Sequence, residues 1–434
     1  MELEIEMTMI PSMMAADLKG KIVLVRMDHN VVKKGKIKDP MRIEATIPTL
    51  LHIFKKGALP ILMSHVGRPY DKTTGKINIS ELEAVDPIVE YLDQKLQLKG
   101  LVPTMSASDG YGISNLSPLA EACQKLKQGE YDYIYLPNTR WFKGEEAKDA
   151  SADDFAKALA EYAEIYINDA FGSWQAHAST FHITKYLPSY AGLLMQKELN
   201  SLSSVFEPRR PLVAVVAGSK FDTKIGPLSA LIEIADHLVL GGVLYNAYLA
   251  AKYGFKISGL SEEDVSMAAK FIADSGENIS KIVELPSIVQ CNSIEQRGDD
   301  NWDIYSIENM KDWACQSDIG YVLDVAEESF RQPEIEQVFR EAGTIFVNAV
   351  MGYTALFPEG TMAMYRLIDE NHNAIKLFGG GDTIQDYKTY LPGLFASASN
   401  NPKYYFFTGG GAILDAIQNR SAYGMKPVQA LIKE

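Results

Sequence analysis

The sequence predicts an α/β fold with mainly parallel sheets, divided into two domains that a helix joins. Short apolar runs typical of buried strands alternate with amphipathic stretches typical of helices along the whole chain. The length of 434 residues exceeds what one hydrophobic core usually serves. Several of the strand-like runs also end in glycine or polar residues, as is expected where parallel strands meet a ligand.

The elements follow from these patterns in chain order. Strands are predicted in the first half at 22–26, 60–63, 133–136 and 165–167, and helices near 42–56, 83–97, 115–127 and 152–163. A further helical stretch at 195–206 ends where Glu207-Pro208-Arg209-Arg210-Pro211 breaks the pattern. The second half adds strands at 212–216, 237–240, 344–347, 374–377 and 405–407. The chain therefore divides most naturally just after this helix.

Composition and charge narrow the class of protein. The chain has 47% hydrophobic and 23% charged residues, which is typical of a soluble globular protein. Its net charge of −14 argues against a general nucleic-acid or membrane-surface binder, although a local basic cleft can still bind an anionic substrate. The three isolated cysteines favour a reducing compartment. Residues 1–7 are acidic where a signal peptide is basic, and no apolar run is long enough to span a membrane. A cytoplasmic location is therefore predicted.

A glycine run at 379–381 indicates a phosphate site. It follows an apolar strand and precedes Asp382, Thr383 and a helical pattern that can start at Ile384. Glycines at such a turn let backbone N–H groups approach an anion, and the helix N-terminus favours negative charge. A carboxylate at Asp382 fits this site if a divalent metal accompanies the phosphates. The alternative is an ordinary glycine-rich turn with Asp382 as the helix N-cap.

Basic side chains follow the strands of the first half. Arg42 begins the first helix, His65 and Arg68 follow the second strand, and Arg140 follows the third. Because the carboxyl ends of parallel strands meet at one edge of a sheet, these side chains are expected to lie together and to suit a small polyanion. The alternative for each arginine is a pair with a surface carboxylate, and for His65 a place in the core.

The second half has further glycine-bearing strand ends. Gly218 and the lysines Lys220 and Lys224 follow one strand, Gly241 follows the next, and glycines at 409–411 follow the last. Lysines can reach phosphates as mobile charges, although two solvated lysines on a helix are an equally good interpretation of this spacing. No Gly-x-x-x-x-Gly-Lys-Ser/Thr run is present, so this is not a Walker loop.

Taken together, these segments resemble the phosphoglycerate kinase family from about Leu18 to about Leu431. The resemblance rests on the following runs: 19–30, Ser64-His65-Val66-Gly67-Arg68-Pro69, Gly144-Glu145-Glu146, Asn168-Asp169-Ala170-Phe171-Gly172, Ala176-His177-Ala178-Ser179-Thr180, Lys220 with Lys224, Met351-Gly352, and the glycine run with Asp382-Thr383. It implies two Rossmann-like domains with a cleft between them, a central helix, and a tail that returns to the N-terminal domain. The expected limits are 1–195, 196–207 for the helix, 208–415, and 416–434 for the tail.

The resemblance also implies the ligands and their residues. A phosphoglycerate would bind the N-terminal domain at Asp28, Asn30, Arg42, His65, Arg68 and Arg140. ADP or ATP with Mg²⁺ would bind the C-terminal domain at Gly218, Lys220, Lys224, Gly241, Asn348, Gly380, Gly381, Asp382 and Thr383. The implied protein is a monomer with small-molecule substrates and no nucleic-acid or membrane partner.

The chemistry that the resemblance implies is reversible phosphoryl transfer between 1,3-bisphosphoglycerate and ADP, a step of glycolysis and gluconeogenesis. The acceptor carboxylate is already ionised at neutral pH, so no general base is required. Arg42 and Lys220 are expected to neutralise charge on the moving phosphoryl group, and Asp382 to hold Mg²⁺. Domain closure would bring the two half-sites together.

The sequence departs from the family pattern at several positions. Trp174-Gln175 stands where the family has His-Arg, which removes a cation that contacts the substrate phosphate. The ribose-binding glutamate of the family is either lost at Ala355 or replaced by Glu359. Asp324-Val325-Ala326-Glu327 stands for Asp-Ile-Gly-Pro, Pro137 stands for a glutamate, and His29 stands for an aromatic residue.

Three hypotheses therefore remain open from the sequence. The leading one is an active phosphoglycerate kinase of divergent type. The second is a kinase of the same fold with another acid or another nucleotide as its substrate. The third is a catalytically weak paralogue that acts as a binding or regulatory protein, against which the presence of Arg42, Lys220 and Asp382 speaks.

Overall fold

The computed structural model describes residues 10–108, 110–222 and 224–432. These residues form two compact units. The first runs to Leu199 and also includes the segment from Tyr423 onward, and the second is Asn200–Ala422. The acidic segment 1–7 and Thr223 lie outside the described residues, and the domain limits expected above stay a prediction.

The first unit alternates strands with helices, as the apolar runs predict. Its elements are β1 (Ile22–Met27), β2 (Val32–Lys33), β3 (Lys36–Ile37), α1 (Met41–Lys55), β4 (Leu59–Met63), β5 (Tyr70–Asp71), β6 (Lys76–Ile77), α2 (Asp86–Leu96), β7 (Gly100–Leu101), β8 (Ala107–Ser108), β9 (Gly112–Ile113), α3 (Pro118–Lys127), β10 (Tyr133–Tyr135), α4 (Ala150–Ala160), β11 (Ile165–Asp169) and β12 (Ser189–Ala191). The helix α5 (Leu193–Phe206) crosses from this unit into the second.

The first sheet has six parallel strands in the order β12-β11-β1-β4-β10-β7. Every residue of β1 and β11 is buried, because helices cover both faces of a parallel sheet. The polar residues that end these strands are therefore displayed at one edge. Three short antiparallel pairs, β2–β3, β5–β6 and β8–β9, interrupt the alternation.

The second unit repeats the pattern. Its elements are β13 (Leu212–Gly218), α6 (Ile225–Ile234), β14 (His237–Gly241), α7 (Gly242–Tyr253), α8 (Glu262–Ser275), β15 (Ser287–Cys291), β16 (Trp302–Ser306), α9 (Ile307–Met310), β17 (Tyr321–Val325), α10 (Pro333–Glu341), β18 (Thr344–Asn348), α11 (Glu359–Glu370), β19 (Ile375–Phe378), α12 (Gly381–Tyr390), α13 (Pro392–Ser399), β20 (Tyr404–Phe406) and α14 (Gly410–Gln418). A last short helix, α15 (Lys426–Gln429), belongs to the first unit.

The second sheet has five parallel strands in the order β14-β13-β18-β19-β20. A separate antiparallel sheet, in the order β16-β15-β17, packs its buried side chains with Phe357 and Ala326. The sequence did not predict this small sheet. The prediction of mainly parallel sheets holds for both large ones.

Helix α12 begins at Gly381, three residues before the Ile384 that the sequence pattern suggested. Gly380 is its N-cap residue, and Asp382 lies in its first turn. The interpretation of Asp382 as the N-cap is therefore wrong. The first backbone amide of this helix is that of Gly381, the last glycine of the run, and the next two are those of Asp382 and Thr383. This arrangement suits an anion at the helix N-terminus.

Candidate active site

A buried arginine organises the carboxyl edge of the first sheet. Arg26, on β1, is 1% exposed, and its Nε donates to Ser179 Oγ at 2.8 Å. Ser179 Oγ in turn donates to Glu145 Oε1 at 2.6 Å, and Arg26 Nη2 lies 3.9 Å from the same carboxylate oxygen. Arg26 also donates to the carbonyl of Met27. The buried charges of Arg26 and Glu145 are thus opposed and hydrogen-bonded.

Arg26 sets the tautomer of His65. Its Nη2 lies 3.1 Å from His65 Nδ1, and a guanidinium can only donate, so Nδ1 accepts and Nε2 carries the proton. Burial and the positive charges of Arg26 and Arg140 hold the pKa of His65 well below its usual range. His65 is therefore a neutral N–H donor at neutral pH.

Arg140 is held at the same edge, after β10. Its Nε lies 2.9 Å from Glu146 Oε1 and its Nη1 donates to the carbonyl of Gly67 at 2.5 Å. His177 Nε2 lies 3.7 Å from the same glutamate oxygen, yet burial lowers the pKa of His177 to about 4. His177 is thus uncharged at neutral pH, and Arg140 carries the positive charge of this group.

Asp28 and Arg42 form an ion pair between the end of β1 and the first turn of α1. Arg42 Nη1 lies 3.2 Å from Asp28 Oδ2, with Asp28 buried and Arg42 one-third exposed. Asn30 Oδ1 accepts from the amide of Gly67 at 2.9 Å, which fixes the turn that leads to Arg68. Arg68 is exposed and, with Lys33 and Lys34, lines a pocket of about 450 Å³.

The structure therefore brings the predicted acid-binding residues together at one edge of the first sheet. Asp28, Asn30 and Arg42 come from the β1 side, and His65, Arg68 and Arg140 from the ends of β4 and β10. Sequence reasoning did not include Arg26 and Glu145 among the site residues. Gln175, which replaces the family arginine, is exposed, while Trp174 beside it is half-buried.

A second cluster lies at the carboxyl edge of the second sheet. Lys224 Nζ donates to Asn348 Oδ1 at 2.6 Å, and Asn348 Nδ2 donates to the carbonyl of Gly379 at 2.9 Å. Burial lowers the pKa of Lys224 to about 8, and the charge of Asp382 partly opposes this shift. The chain Lys224–Asn348–Gly379 ties the ends of β13, β18 and β19 to one another.

The glycine run is crowded on one side and open on the other. Gly380 has a φ of +109°, and a Cβ there would lie 3.1 Å from both Asn348 Nδ2 and Thr383 Oγ1. A Cβ on Gly410 would lie 2.7 Å from the Cα of Gly380, whereas a Cβ on Gly381 would meet nothing within 4 Å. The open space beside Gly381, at the start of α12, leaves room for an anion.

The other predicted nucleotide residues lie around this turn. Thr383 is buried, and its carbonyl accepts from the Tyr365 hydroxyl at 3.0 Å, whereas Asp382 is exposed. Gly218 and Gly241 are the last residues of β13 and β14 and lie at the same edge of the sheet. Lys220 follows β13 by two residues and is exposed.

The altered loop after β18 has its own contacts. Ala355 is exposed, and Glu359 Oε1 lies 2.6 Å from Arg297 Nη1. The Arg297 guanidinium also lies 4.4 Å from the ring centres of both Trp302 and Phe357. Glu359 is therefore engaged by an arginine that also lies against two aromatic rings, which contact each other edge to face.

Comparisons with known proteins agree with this geometry. A family model described as phosphoglycerate kinase matches residues 13–420. A phosphoglycerate kinase of Trichodesmium erythraeum is 33% identical over 427 residues, which cover 96% of this chain and 97% of that protein. One of Thermosynechococcus vestitus is 34% identical over 428 residues, with the same two coverages.

Solved structures of phosphoglycerate kinases have the same fold. The one from Coxiella burnetii is similar with a TM-score of 0.76 and 25% identity, and the match covers 98% of this chain and 99% of that one. The one from Pyrococcus horikoshii has a TM-score of 0.71 at 18% identity. The predicted α/β fold class and the predicted family are both confirmed. The chain belongs to the phosphoglycerate kinase family.

Proposed function

We propose that this protein catalyses reversible phosphoryl transfer from 1,3-bisphosphoglycerate to ADP, the reverse direction forming 1,3-bisphosphoglycerate and ADP from 3-phosphoglycerate and ATP. Membership of its family makes the chain a phosphotransferase. The observation that carries the specific reaction is the neutral, donor-oriented His65 among Arg26, Arg42 and Arg140 in the first unit. These groups together suit a small acid that bears phosphate and carboxylate groups.

The acid is proposed to bind at Asp28, Asn30, Arg42, His65, Arg68 and Arg140. The arginines would take phosphate or carboxylate oxygens through their planar forks, and His65 Nε2–H would add a neutral donor. Asp28 accepts from Arg42 at 3.2 Å and holds that guanidinium in place. Arg26 would affect acid binding indirectly, because its guanidinium orients the His65 ring.

The nucleotide phosphates are proposed to bind at Gly218, Lys220, Lys224, Gly241, Asn348, Gly380, Gly381 and Thr383. The backbone amides at the α12 N-terminus would donate to a phosphate bound there, and the helix dipole favours negative charge at this end. Lys224 is held by Asn348 beside the glycine turn, so its ammonium group needs little ordering on binding. This half of the site serves phosphates rather than a base.

Asp382 fits a magnesium ion that travels with the nucleotide. It is an exposed carboxylate in the first turn of α12, beside the open side of the glycine run. The part of the chain that the structure describes has no group of three or more His, Cys, Asp or Glu that could hold a metal. Such a single carboxylate suits Mg²⁺, which prefers one or two carboxylates together with phosphate oxygens and water. When bound, the ion would neutralise negative charge on the phosphates.

The proposed chemistry relies on position and charge. The acceptor carboxylate is ionised at neutral pH, so no side chain has to remove a proton. Arg42 and Lys220 are the proposed catalytic residues, which would stabilise charge spread over the transferred phosphoryl group. His65 stays neutral at neutral pH and therefore orients the substrate without exchanging a proton with it.

A second candidate is a kinase that uses another nucleotide. The comparisons do not favour it, because the family model and the relatives are all described as phosphoglycerate kinases. It stays an outcome of the assay because Ala355 stands where the family has its ribose-binding glutamate, and Glu359 is paired with Arg297 at 2.6 Å.

The test is a coupled assay of the purified protein with 3-phosphoglycerate, Mg²⁺ and a panel of nucleotides. Turnover with ATP supports the leading proposal, and turnover only with GTP or only with another acid supports the second candidate. Ligand binding without turnover would instead indicate a binding or regulatory protein. Lys220→Ala and Arg42→Ala are each expected to abolish turnover, and activity that survives both changes contradicts the assigned roles.

We further propose that the protein is a monomer, that it acts in the cytoplasm on small molecules, and that it has no nucleic-acid partner. Light scattering of the purified chain tests the oligomeric state. No helix within the described ranges combines the length and the apolar character needed to cross a membrane.

A further inference from the structure

His29 lies between two proposed substrate residues but faces the opposite way. Its neighbours Asp28 and Asn30 contact Arg42 and the amide of Gly67 at the carboxyl edge of the first sheet. His29 itself is fully buried, and its backbone amide donates to Ser64 Oγ at 2.8 Å. The imidazole lies in the core, because its partners Tyr135 and Thr46 are both buried.

Both imidazole nitrogens of His29 have partners on other elements. Nδ1 lies 2.9 Å from the Tyr135 hydroxyl on β10, and Nε2 lies 2.9 Å from Thr46 Oγ1 on α1. Thr46 Oγ1 already donates its proton to the carbonyl of Ile43 at 2.8 Å, so it accepts from His29 Nε2–H. Nδ1 must then accept, and the Tyr135 hydroxyl donates to it.

This network fixes the helix that carries Arg42. Thr46 and Arg42 are four residues apart on α1 and therefore lie on the same face of the helix, one turn apart. The bond from His29 to Thr46 ties this face to the end of β1, where Asp28 stands. A phenylalanine of similar size would fill the same space and would make neither hydrogen bond.

We propose that His29, held as the Nε2–H tautomer by Tyr135, is a positioning residue that sets Arg42 and Asp28 for the acid substrate through Thr46. This proposal rests on the proposed function for its kinetic consequences. Burial lowers the pKa of His29 to about 3, with a smaller opposing effect from the charge of Asp28 and a smaller lowering effect from Arg26. The imidazole thus keeps one hydrogen-bonding pattern across the physiological pH range.

The first test does not depend on activity. In ¹⁵N NMR of the whole protein, the His29 ring nitrogens are expected to show a protonated Nε2 and an unprotonated Nδ1, without change from pH 5 to pH 8, which brackets the usual histidine titration. Tyr135→Phe removes the donor to Nδ1 and is expected to alter the Nδ1 resonance. A His29 ring that titrates in this range, or an Nδ1–H tautomer, overturns the proposal.

The second test separates positioning from stability. His29→Phe and Thr46→Val are each expected to raise the KM for 3-phosphoglycerate about tenfold and to leave the KM for ATP unchanged. His52→Phe, on the same helix and half-buried, is the matched control and should change neither. An unchanged KM for the acid, or equal changes for both substrates, overturns the proposal.

The double variant His29→Phe/Tyr135→Phe distinguishes a structural role. It removes the buried hydroxyl that loses its acceptor in His29→Phe, so resistance to urea is expected to recover relative to His29→Phe, while the KM for 3-phosphoglycerate stays raised. A KM that recovers together with stability would show that His29 serves folding alone. Lack of turnover in the unmodified protein would instead refute the proposed function, and the NMR result would still decide the tautomer.

Discussion

Lys224 Nζ lies 2.6 Å from Asn348 Oδ1, so a side chain that follows β13 is fastened to the end of β18 beside the glycine turn. The side-chain NH₂ of Asn348 donates to the carbonyl of Gly379, and its Oδ1 accepts from Lys224. The ammonium group is mostly removed from water, and this burial brings its pKa down to about 8.

A proton is expected to accompany nucleotide binding above that pKa. The unliganded protein loses the Lys224 charge as the pH rises through about 8, and a bound phosphate favours the charged form. Calorimetric titration with ADP, one pH unit above this value in buffers of different ionisation enthalpy, should show proton uptake. Lys224→Arg stays protonated and should show none, and equal uptake in both proteins would contradict the assignment.

Substitutions of the glycines at the phosphate turn are expected to affect either the stability of the protein or its binding of ADP, depending on the position. Gly410→Ala forces backbone atoms apart at Gly380, and Gly380→Ala places a side chain on a residue with φ of +109°, so each should lower the free energy of unfolding by about 1–3 kcal/mol. Gly381→Ala meets no neighbouring atom and should keep its stability yet bind ADP more weakly. Thermal unfolding measures the stability of each variant, and calorimetric titration measures its affinity for ADP. Full ADP affinity in Gly381→Ala would mean that the phosphate does not bind beside Gly381.

Asp169 is expected to make stability depend on acid pH. It is fully buried at the end of β11, and burial raises its pKa to about 6 although the amide of Met195 donates to it. The folded protein therefore binds this proton more tightly than the unfolded chain, whose value is 3.8, so the free energy of unfolding falls as the pH rises between these values.

Asp169→Asn should remove this pH dependence. The free energy of unfolding that Asp169 contributes at low pH and loses as the pH rises is at most about 3 kcal/mol. Urea unfolding at several pH values measures it. Asp300→Asn, an exposed carboxylate in the second unit, is the control and should keep the slope. A slope that persists in Asp169→Asn would mean that other carboxyl groups cause it.

Restoring the family arginine is expected to strengthen acid binding. Gln175 is exposed, so Gln175→Arg adds a cation without disturbing the core. The KM for 3-phosphoglycerate should fall about tenfold, because hydrogen bonds to charged groups are stronger than neutral ones. Gln175→Met, of similar length and without charge, should give no gain. A rise in KM for Gln175→Arg would show that this position no longer faces the substrate.

The large sheets could be predicted because their strands are buried on both faces and read as continuous apolar runs. The small antiparallel sheet could not, since its edge strand Trp302–Ser306 is largely accessible and has no such run. The early start of α12 was also missed. Glycine and aspartate are poor helix formers, and the hydrogen bond from Tyr365 to the carbonyl of Thr383 is a tertiary contact that local sequence does not show.

The site residues at the ends of strands could be predicted from the sequence, whereas those within strands were harder to predict. Arg26 lies within an apolar run, and its charge is tolerated only because Glu145 and Ser179 arrive from distant parts of the chain. The sequence showed that His29 departs from the family. Its partners on α1 and β10 were needed to give it a role. The residue assignments to each substrate stay predictions until the variants are measured.

The contribution of residues from Tyr423 onward to the first unit has a consequence for synthesis on the ribosome. A nascent chain that has emerged as far as Ala422 already holds every residue of the second unit. It still lacks Met425, Val428 and Leu431, which are buried in the finished protein. The first unit is therefore completed only after the whole second unit has been synthesised, once residues 423–432 have also left the exit tunnel.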